Sequence, residues 1–219
     1  MRIFIARHGK TFGPDQIGGK KEVMAGSKQD LPLVQEGREQ AVKLAKFFKS
    51  NEIHVKTIYA NSLKRVWEFA EIIKTNLSDN KVELVKDQSL IELDYGAWGG
   101  LETSKENNEV VKLFSKEAWN NWQNQRIVHD FPPHNWTESE EDIEKRVEDF
   151  FIKLQNKHSA NDTVLAIGSQ GSITFINGLI EGGMERAIAE DHIKVGPGNI
   201  CEFELSQGKL KLVQWNLSI

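Results

Sequence analysis

The chain has 219 residues, and its 28 lysines and arginines are nearly balanced by 32 aspartates and glutamates, for a formal net charge of -4. A single domain of this length can bury roughly 70% of its unfolded surface, and no break in composition divides the chain. The charge balance excludes a broad basic face for nucleic acid or for an anionic membrane, so any attraction for an anion must be local.

Strands and helices alternate through the first half of the chain. Apolar residues at the 3.6-residue period, such as Ala41, Leu44 and Phe48, indicate helices. The expected elements are a strand over 2–6, an irregular loop over 12–30, a helix over 35–50, a strand over 55–60, a helix that begins after Ser62 as its N-cap, and a strand over 82–85.

The second half contains an insertion and then returns to the alternation. Residues 99–137 are rich in Asn, Glu, Trp and Pro, and we interpret them as a small cap in which Trp119 and Trp122 form a core. After the cap we expect a helix over 138–157, a strand over 163–167, a helix over 170–180 and a hairpin over 200–205 and 209–215. The predicted fold class is α/β: a single domain over 1–219, built as a three-layer sandwich with a mostly parallel central sheet and helices on both faces.

The compartment is indicated by the start of the chain and by its cysteine usage. The first strand follows Met1 directly, and no apolar run is long enough for a signal peptide or a membrane span. Cys201 is the only cysteine, which rules out an intramolecular disulfide and fits a reducing compartment. We interpret Cys201 as a small buried strand residue and expect a soluble, cytoplasmic protein.

The pentapeptide Arg7-His8-Gly9-Lys10-Thr11 follows the first strand, where an α/β sheet presents a loop to its ligand. A glycine there lets the backbone approach a phosphate, whose charge an arginine can meet with two hydrogen bonds. The adjacent histidine can act as a nucleophile. The alternative is a histidine that is only bonded to a neighbouring carbonyl, so the pentapeptide predicts an anion site and leaves the role of His8 open.

Motifs in chain order carry a resemblance that runs from end to end. The matching stretches are Arg7-His8-Gly9, Leu31 to Ala41, Ser62 to Arg65, Glu92 to Trp98, and Trp136 to Ser139. They are similar to the Arg-His-Gly, Leu-Thr-x-x-Gly-x-x-Gln-Ala, Ser-x-x-Arg, Glu-x-x-x-Gly-x-Trp and Gly-Glu-Ser segments of the histidine phosphatase superfamily, also called the phosphoglycerate mutase-like family. The resemblance implies that family's fold and its phosphate pocket.

Two positions depart from the family pattern. The second pocket histidine, within Ser-His-Gly after a buried strand, is replaced by Gln170, and the asparagine expected seven residues after Arg7 is Pro14. The resemblance therefore implies a divergent member. Glutamine would offer the phosphoryl group a neutral N–H in place of a charged donor, which slows turnover roughly tenfold. We accordingly expect Gln170→His to match or exceed the parent and Gln170→Ala to fall below it.

The resemblance also implies the roles of individual residues in phosphoryl transfer. His8 would be the nucleophile that forms a phosphohistidine, and Glu92 the general acid and base. The donors to the phosphoryl oxygens would be Arg7, Arg65 and Gln170. The residues expected to bind the rest of the substrate are Lys10, Thr11 and Gly171.

Ion pairs are the alternative for two of these side chains. Arg65 could pair with Glu68 or Glu71, and Glu92 could pair with Arg65 or Lys64. The other histidines lack metal-ligand spacing. Neither a metal nor a cofactor is expected.

The sequence thus predicts a metal-independent phosphatase that hydrolyses a small phosphorylated metabolite, with no nucleic-acid or membrane partner. Three alternatives stay open: a phosphoglycerate mutase with the same nucleophile, a module that binds a phosphorylated ligand without turnover, and a different hydrolytic or transfer reaction in a remodelled pocket. Gln170 and Pro14 are the features that favour the binding module.

Overall fold

A mixed sheet of six strands lies at the centre of this computed structural model, which describes residues 1–12 and 17–219. The strands are β1 (Arg2–Arg7), β2 (Thr57–Ala60), β3 (Glu83–Lys86), β4 (Thr163–Gly168), β5 (Ile200–Ser206) and β6 (Lys209–Leu217). Their order is β3-β2-β4-β1-β5-β6. The first four pair in parallel, and β5 and β6 add an antiparallel hairpin at one edge, which confirms the mostly parallel sheet.

Helices cover both faces of this sheet. The α-helices of the described residues are α1 (Gln35–Ser50), α2 (Lys64–Leu77), α3 (Glu109–Leu113), α4 (Lys116–Gln125), α5 (Glu140–Lys157), α6 (Gln170–Thr174) and α7 (Gly183–Ala189). Along β1, Phe4 and Ala6 pack in one core with α1 and α2, whereas Ile3 and Ile5 pack in a second core with α5. The predicted three-layer α/β class is confirmed. Within the described ranges, no helix is both long and apolar enough to cross a membrane.

Helix α2 is capped by a residue that local sequence does not indicate. Its N-cap position is Leu63, which forms no side-chain cap. Instead, Asp30 Oδ1 accepts from the Lys64 N–H at 2.7 Å. The predicted N-cap Ser62 was therefore wrong, because a carboxylate from a distant loop satisfies the first turn of the helix.

Two other helix boundaries differ from the prediction. Helix α5 begins at Glu140 because Ser139 caps it in a reciprocal capping box. The helix expected over 170–180 is divided into α6 and a 3-10 segment over Phe175–Leu179. Gly183 opens the next helix, α7.

The cap region over 99–137 carries α3 and α4 and an aromatic core. Tyr95, Trp98, Trp122 and Trp136 pack edge to face, with ring centroids 4.8 to 5.6 Å apart. Trp119 packs against this cluster, as expected for a cap core, and the cluster is continuous with the core beneath the sheet. Through this packing the cap lies beside the carboxyl end of β1, where Trp122 lines the same cavity as Arg7 and His8.

Candidate active site

A cavity of about 460 Å³ lies at the carboxyl ends of β1 and β4. The residues singled out by the sequence that line it are Arg7, His8, Thr11, Arg65, Glu92 and Gln170. They meet because the segments that follow parallel strands converge at one edge of the sheet.

His8 follows β1 directly and is 6% exposed. Its Nδ1 lies 2.8 Å from the carbonyl oxygen of Gly9, and since a carbonyl only accepts, this contact assigns the proton to Nδ1 in the neutral imidazole. The lone pair on Nε2 accepts from the Nε–H of Arg65 at 3.2 Å. The sequence analysis offered a bond from His8 to a neighbouring carbonyl as the alternative to a nucleophilic role. In the structure the two are compatible, because the bond from Nδ1 to the Gly9 carbonyl leaves Nε2 facing the cavity.

The protonation state of His8 follows from its surroundings. Burial lowers the pKa of His8 well below its usual value of 6.5, and the charges of Arg65 and Arg7 lower it further. The imidazole is therefore neutral at pH 7, and it remains neutral in mild acid until the pH falls through the lowered pKa. Neutral imidazole is the form that can donate a lone pair.

Two guanidinium groups flank this imidazole. Arg65 is 1% exposed and donates to the carbonyl oxygens of Gln29 and Gly26 at 2.8 and 3.3 Å. Arg7 donates to the carbonyl oxygen of Val195 at 2.8 Å, and its Nε is buried with no protein partner among the described residues. Because neutral carbonyls hold both side chains, their positive charge remains available for an anion.

The ion pairs that were the alternative for these residues are not formed in the described part of the chain. Glu68 pairs with Arg38 at 2.6 Å, and Lys64 lies 3.9 Å from Asp30. Glu92 influences Arg65 through its negative charge and not through an ion pair. Burial lowers the pKa of Arg65, and the charge of Glu92 raises it.

Glu92 is held through one of its two carboxyl oxygens. Oε1 accepts from the backbone N–H groups of Leu93 and Gly171, both at 3.0 Å, and from the hydroxyl of Tyr95 at 3.1 Å. No described residue donates to Oε2. The three donors fix the orientation of the carboxyl group, so that Oε2 is the oxygen left to exchange a proton with a ligand.

Gly171 contributes to the site through its backbone. A Cβ at this position would overlap Glu92 Oε1, so only glycine allows α6 to bring its N–H to the carboxylate. Gly171 was expected to bind substrate, but its N–H is already bonded to Glu92. We therefore correct its role to orienting the acid.

Gln170 lines the cavity, but its amide is fully engaged. Nε2 donates to the carbonyl oxygen of Ile193 at 2.9 Å and to Thr174 Oγ1 at 3.0 Å, and Oε1 accepts from the Val195 N–H at 2.7 Å. An amide nitrogen has two hydrogens, and both have partners here. The expectation that Gln170 donates to a phosphoryl group is corrected accordingly. Gln170 accepts from the Val195 N–H, and the carbonyl oxygen of Val195 accepts from Arg7, so Gln170 holds the residue that positions Arg7.

The remaining predicted residues have different outcomes. Thr11 lines the cavity and forms an isolated bridge with Leu33. Lys10 does not line it, because its ammonium group pairs with Glu36 at 2.7 Å on the surface. Pro14 lies outside the described residues.

Tyr95 and Arg126 are among the lining residues that the sequence analysis did not assign to the site. Tyr95 stands three residues after Glu92 inside a matched motif, so its contact with that carboxylate was within reach of the sequence. Arg126 comes from the cap, where no periodic pattern indicates the direction of a side chain. Within 1–12 and 17–219, no group of three His, Cys, Asp or Glu residues is placed to hold a metal ion.

The fold is α/β, and its cavity brings the guanidinium groups of Arg7 and Arg65 beside the neutral imidazole of His8. Such a set of fixed donors matches the charge on a transferring phosphoryl group. The family model described as histidine phosphatase superfamily (branch 1) matches residues 3–218. The chain belongs to that family.

Individual relatives are distant. The chain is 24% identical over 202 residues to a 2,3-bisphosphoglycerate-dependent phosphoglycerate mutase of Bartonella bacilliformis, which covers 92% of this chain and 91% of the mutase. A mycobacterial glucosyl-3-phosphoglycerate phosphatase in complex with VO3 is 22% identical, with a TM-score of 0.77 and 99% of each chain covered. A structure described as a putative alpha-ribazole-5'-P phosphatase from Escherichia coli is 23% identical, with a TM-score of 0.73, and the match covers 99% of this chain and 96% of that one. The structural likenesses confirm the fold.

Proposed function

We propose that this protein is a metal-independent phosphatase that hydrolyses a small phosphomonoester through a phosphohistidine on His8. The observation that carries the proposal is the neutral His8 imidazole, whose Nε2 lone pair lies in a cavity between Arg7 and Arg65. Fixed guanidinium groups supply the positive charge that the equatorial phosphoryl oxygens require. The single buried cysteine fits a cytoplasmic substrate.

In the first step, a bond forms between His8 Nε2 and phosphorus while the bond from phosphorus to the ester oxygen breaks. Protonated Glu92 donates its proton from Oε2 to the leaving oxygen, so that an alcohol departs. Arg65 shifts its Nε–H from Nε2 to a phosphoryl oxygen as the lone pair is used. The contact between Nδ1–H and the Gly9 carbonyl stabilises the positive charge that develops on the imidazole.

In the second step, water attacks the phosphohistidine. Glu92, now a carboxylate, takes a proton from the water while the new oxygen to phosphorus bond forms and the nitrogen to phosphorus bond breaks. Inorganic phosphate is released, and His8 returns to its neutral state. One carboxyl group thus serves both steps, because each step leaves it in the protonation state that the next one needs.

The test is a screen of the purified protein against a panel of phosphorylated metabolites, with free phosphate as the readout. We expect release that survives EDTA and is inhibited competitively by inorganic phosphate or vanadate. Isomerisation of a phosphoglycerate without release would instead identify a mutase. Tight phosphate binding with no turnover on any ester would identify a binding module.

Replacement of Gln170 is expected to reduce both stability and activity. Gln170→Ala leaves the Val195 N–H without a partner and removes one of the two donors to the Ile193 carbonyl, which keeps the Thr174 hydroxyl. The cost is roughly 1 to 3 kcal/mol, or a fall in Tm of about 3 to 10 °C. Loosening of Val195 releases Arg7, so kcat/KM should fall about tenfold. Gln170→His should also fall below the parent, because one neutral imidazole cannot supply two donors and an acceptor.

This outcome reverses the order that the sequence alone suggested for the histidine variant. Calorimetry and phosphate release would be measured together, with Gln155→Ala, an exposed glutamine of α5, as the matched control that changes neither. A Gln170→His variant at or above the parent would restore Gln170 as a direct phosphoryl donor.

A further inference from the structure

The segment that carries Glu92 is held in place by side chains from other parts of the chain. Residues 87–95 follow β3 and are irregular, so their carbonyl groups need donors from elsewhere. Three consecutive carbonyls lead up to Glu92, those of Ser89, Leu90 and Ile91. Each accepts from a side chain of a different part of the fold, and the donors, in the same order, are Arg146 of α5, Asn61 after β2 and Ser172 of α6. These donors set the path of the backbone into Glu92.

Arg146 is the centre of this arrangement. Its Nη1 donates to the Ser89 carbonyl at 2.6 Å and to Ser172 Oγ at 3.3 Å. Ser172 is fully buried, and its hydroxyl donates in turn to the Ile91 carbonyl. One guanidinium group thus holds Ser89 directly and Ile91 through Ser172, and Ile91 is the residue immediately before Glu92.

Glu138 holds the guanidinium group of Arg146 in that position. Its Oε1 and Oε2 accept from Arg146 Nε and Nη2 at 2.6 and 3.2 Å, and such a pair of bonds fixes the plane of a guanidinium group. The Arg146 side chain is only 18% exposed. Glu138 belongs to the motif over 136–139, which the two-step scheme above does not use. The ion pair connects that motif to the segment that carries Glu92.

We propose that Arg146 is a positioning residue for Glu92. Held by Glu138, it orders the backbone that leads into Glu92 and so directs Oε2 toward the leaving oxygen and the attacking water. This inference rests on the proposed phosphatase activity. Arg146 does not line the cavity, so its loss should affect the reaction through Glu92 alone. A misplacement of about 1 Å at a reacting group can lower a rate about a hundredfold.

The experiment compares an alkyl and an aryl phosphate in Arg146→Met, which keeps the length of the side chain and loses its donors. We expect kcat on propyl phosphate to fall about ten- to hundredfold, with KM little changed because Arg7 and Arg65 are intact. The first release of p-nitrophenolate from p-nitrophenyl phosphate needs no proton from Glu92, so its rate should stay within about threefold of the parent. Arg146→Lys, which keeps the charge that pairs with Glu138, should recover part of the loss.

Two further variants separate positioning from general damage to the fold. Ser172→Ala removes the link to the Ile91 carbonyl and leaves the pair of Arg146 with Glu138 in place, so it should give the same selective loss to a smaller degree. It also keeps the proposal testable if Arg146→Met does not fold. Arg186→Met, at an exposed arginine of α7 that donates to nearby carbonyls, is the matched control and should change the rate on neither ester.

Hydrogen exchange gives a readout that needs no turnover. The Leu93 N–H donates to Glu92 Oε1 at 3.0 Å, so in Arg146→Met its exchange should accelerate at least about tenfold more than that of the β1 amides, which report global unfolding. If the parent releases no phosphate, the proposed reaction is wrong, and the exchange of Leu93 still decides whether Arg146 orders this segment. Equal losses on the two esters, or no selective change in exchange at Leu93, would overturn the proposal.

Discussion

His8→Asn is expected to abolish phosphate release, with a loss of at least about a thousandfold in kcat. Asparagine is the matched replacement because its side-chain N–H can keep the bond to the Gly9 carbonyl that Nδ1 makes in the parent. It offers no lone pair at the position of Nε2. The fold should be preserved, and calorimetry of the variant would verify that the loss is chemical.

The covalent intermediate gives this prediction a second readout. With a labelled ester, rapid quenching of the parent should trap one phosphoryl group per chain, on a bond that is labile to acid as a phosphoramidate is. Peptide mapping at high pH should place the label on His8. His54→Asn, at an exposed histidine, is the control that keeps both label and turnover. Label on another residue, or turnover in His8→Asn, would show that His8 is not the nucleophile.

The fold was largely predictable because hydrophobic periodicity reports burial directly. The helix over 35–50 was predicted with the observed limits of α1, and the closing hairpin was found because its two strands alternate around a turn. Where limits were wrong, the cause was a contact far along the chain. Asp30 caps α2 from a loop, and no local pattern before Lys64 shows that this carboxylate arrives there.

The gathering of Arg7, His8, Arg65 and Glu92 in one cavity was also within reach of the sequence. These residues stand in motifs after parallel strands, and such segments meet at one edge of a sheet. The resemblance supplied their proposed roles. Their protonation and orientation could not be predicted, because these depend on individual carbonyl and N–H partners.

Gln170 illustrates what the sequence could not supply. Its partners Ile193 and Val195 lie 23 and 25 residues further along, in a segment with no periodic signal. The motif position alone suggested that Gln170 donates to phosphate. In the structure its amide binds Val195, whose carbonyl oxygen accepts from Arg7. The prediction for Lys10 was wrong for a related reason. A motif indicates where the backbone of a residue lies, but a long side chain can turn away from the cavity. The Lys10 ammonium group pairs with the carboxylate of Glu36 on the surface.

Glu92→Gln is expected to lower steady-state phosphate release by roughly 10² to 10⁴. The substitution is conservative, because the glutamine Oε1 can still accept from Leu93, Gly171 and Tyr95. Only the oxygen that exchanges protons is replaced, by an NH₂ group that cannot take a proton from water. The variant should therefore fold like the parent, and Glu181→Gln, at an exposed glutamate, is the matched control for loss of a carboxylate.

The two steps can be separated by the choice of leaving group. p-Nitrophenolate leaves phosphorus without being protonated, so Glu92→Gln should still transfer the phosphoryl group to His8 and release a burst of one nitrophenol per chain. After the burst, hydrolysis of the phosphohistidine should become the slow step, since no carboxylate activates water. An alkyl phosphate, whose leaving oxygen needs the proton, should give no burst. A loss of less than tenfold on the alkyl ester would mean that another group is the acid, and a missing burst with the aryl ester would mean that Glu92 acts in binding rather than in proton transfer.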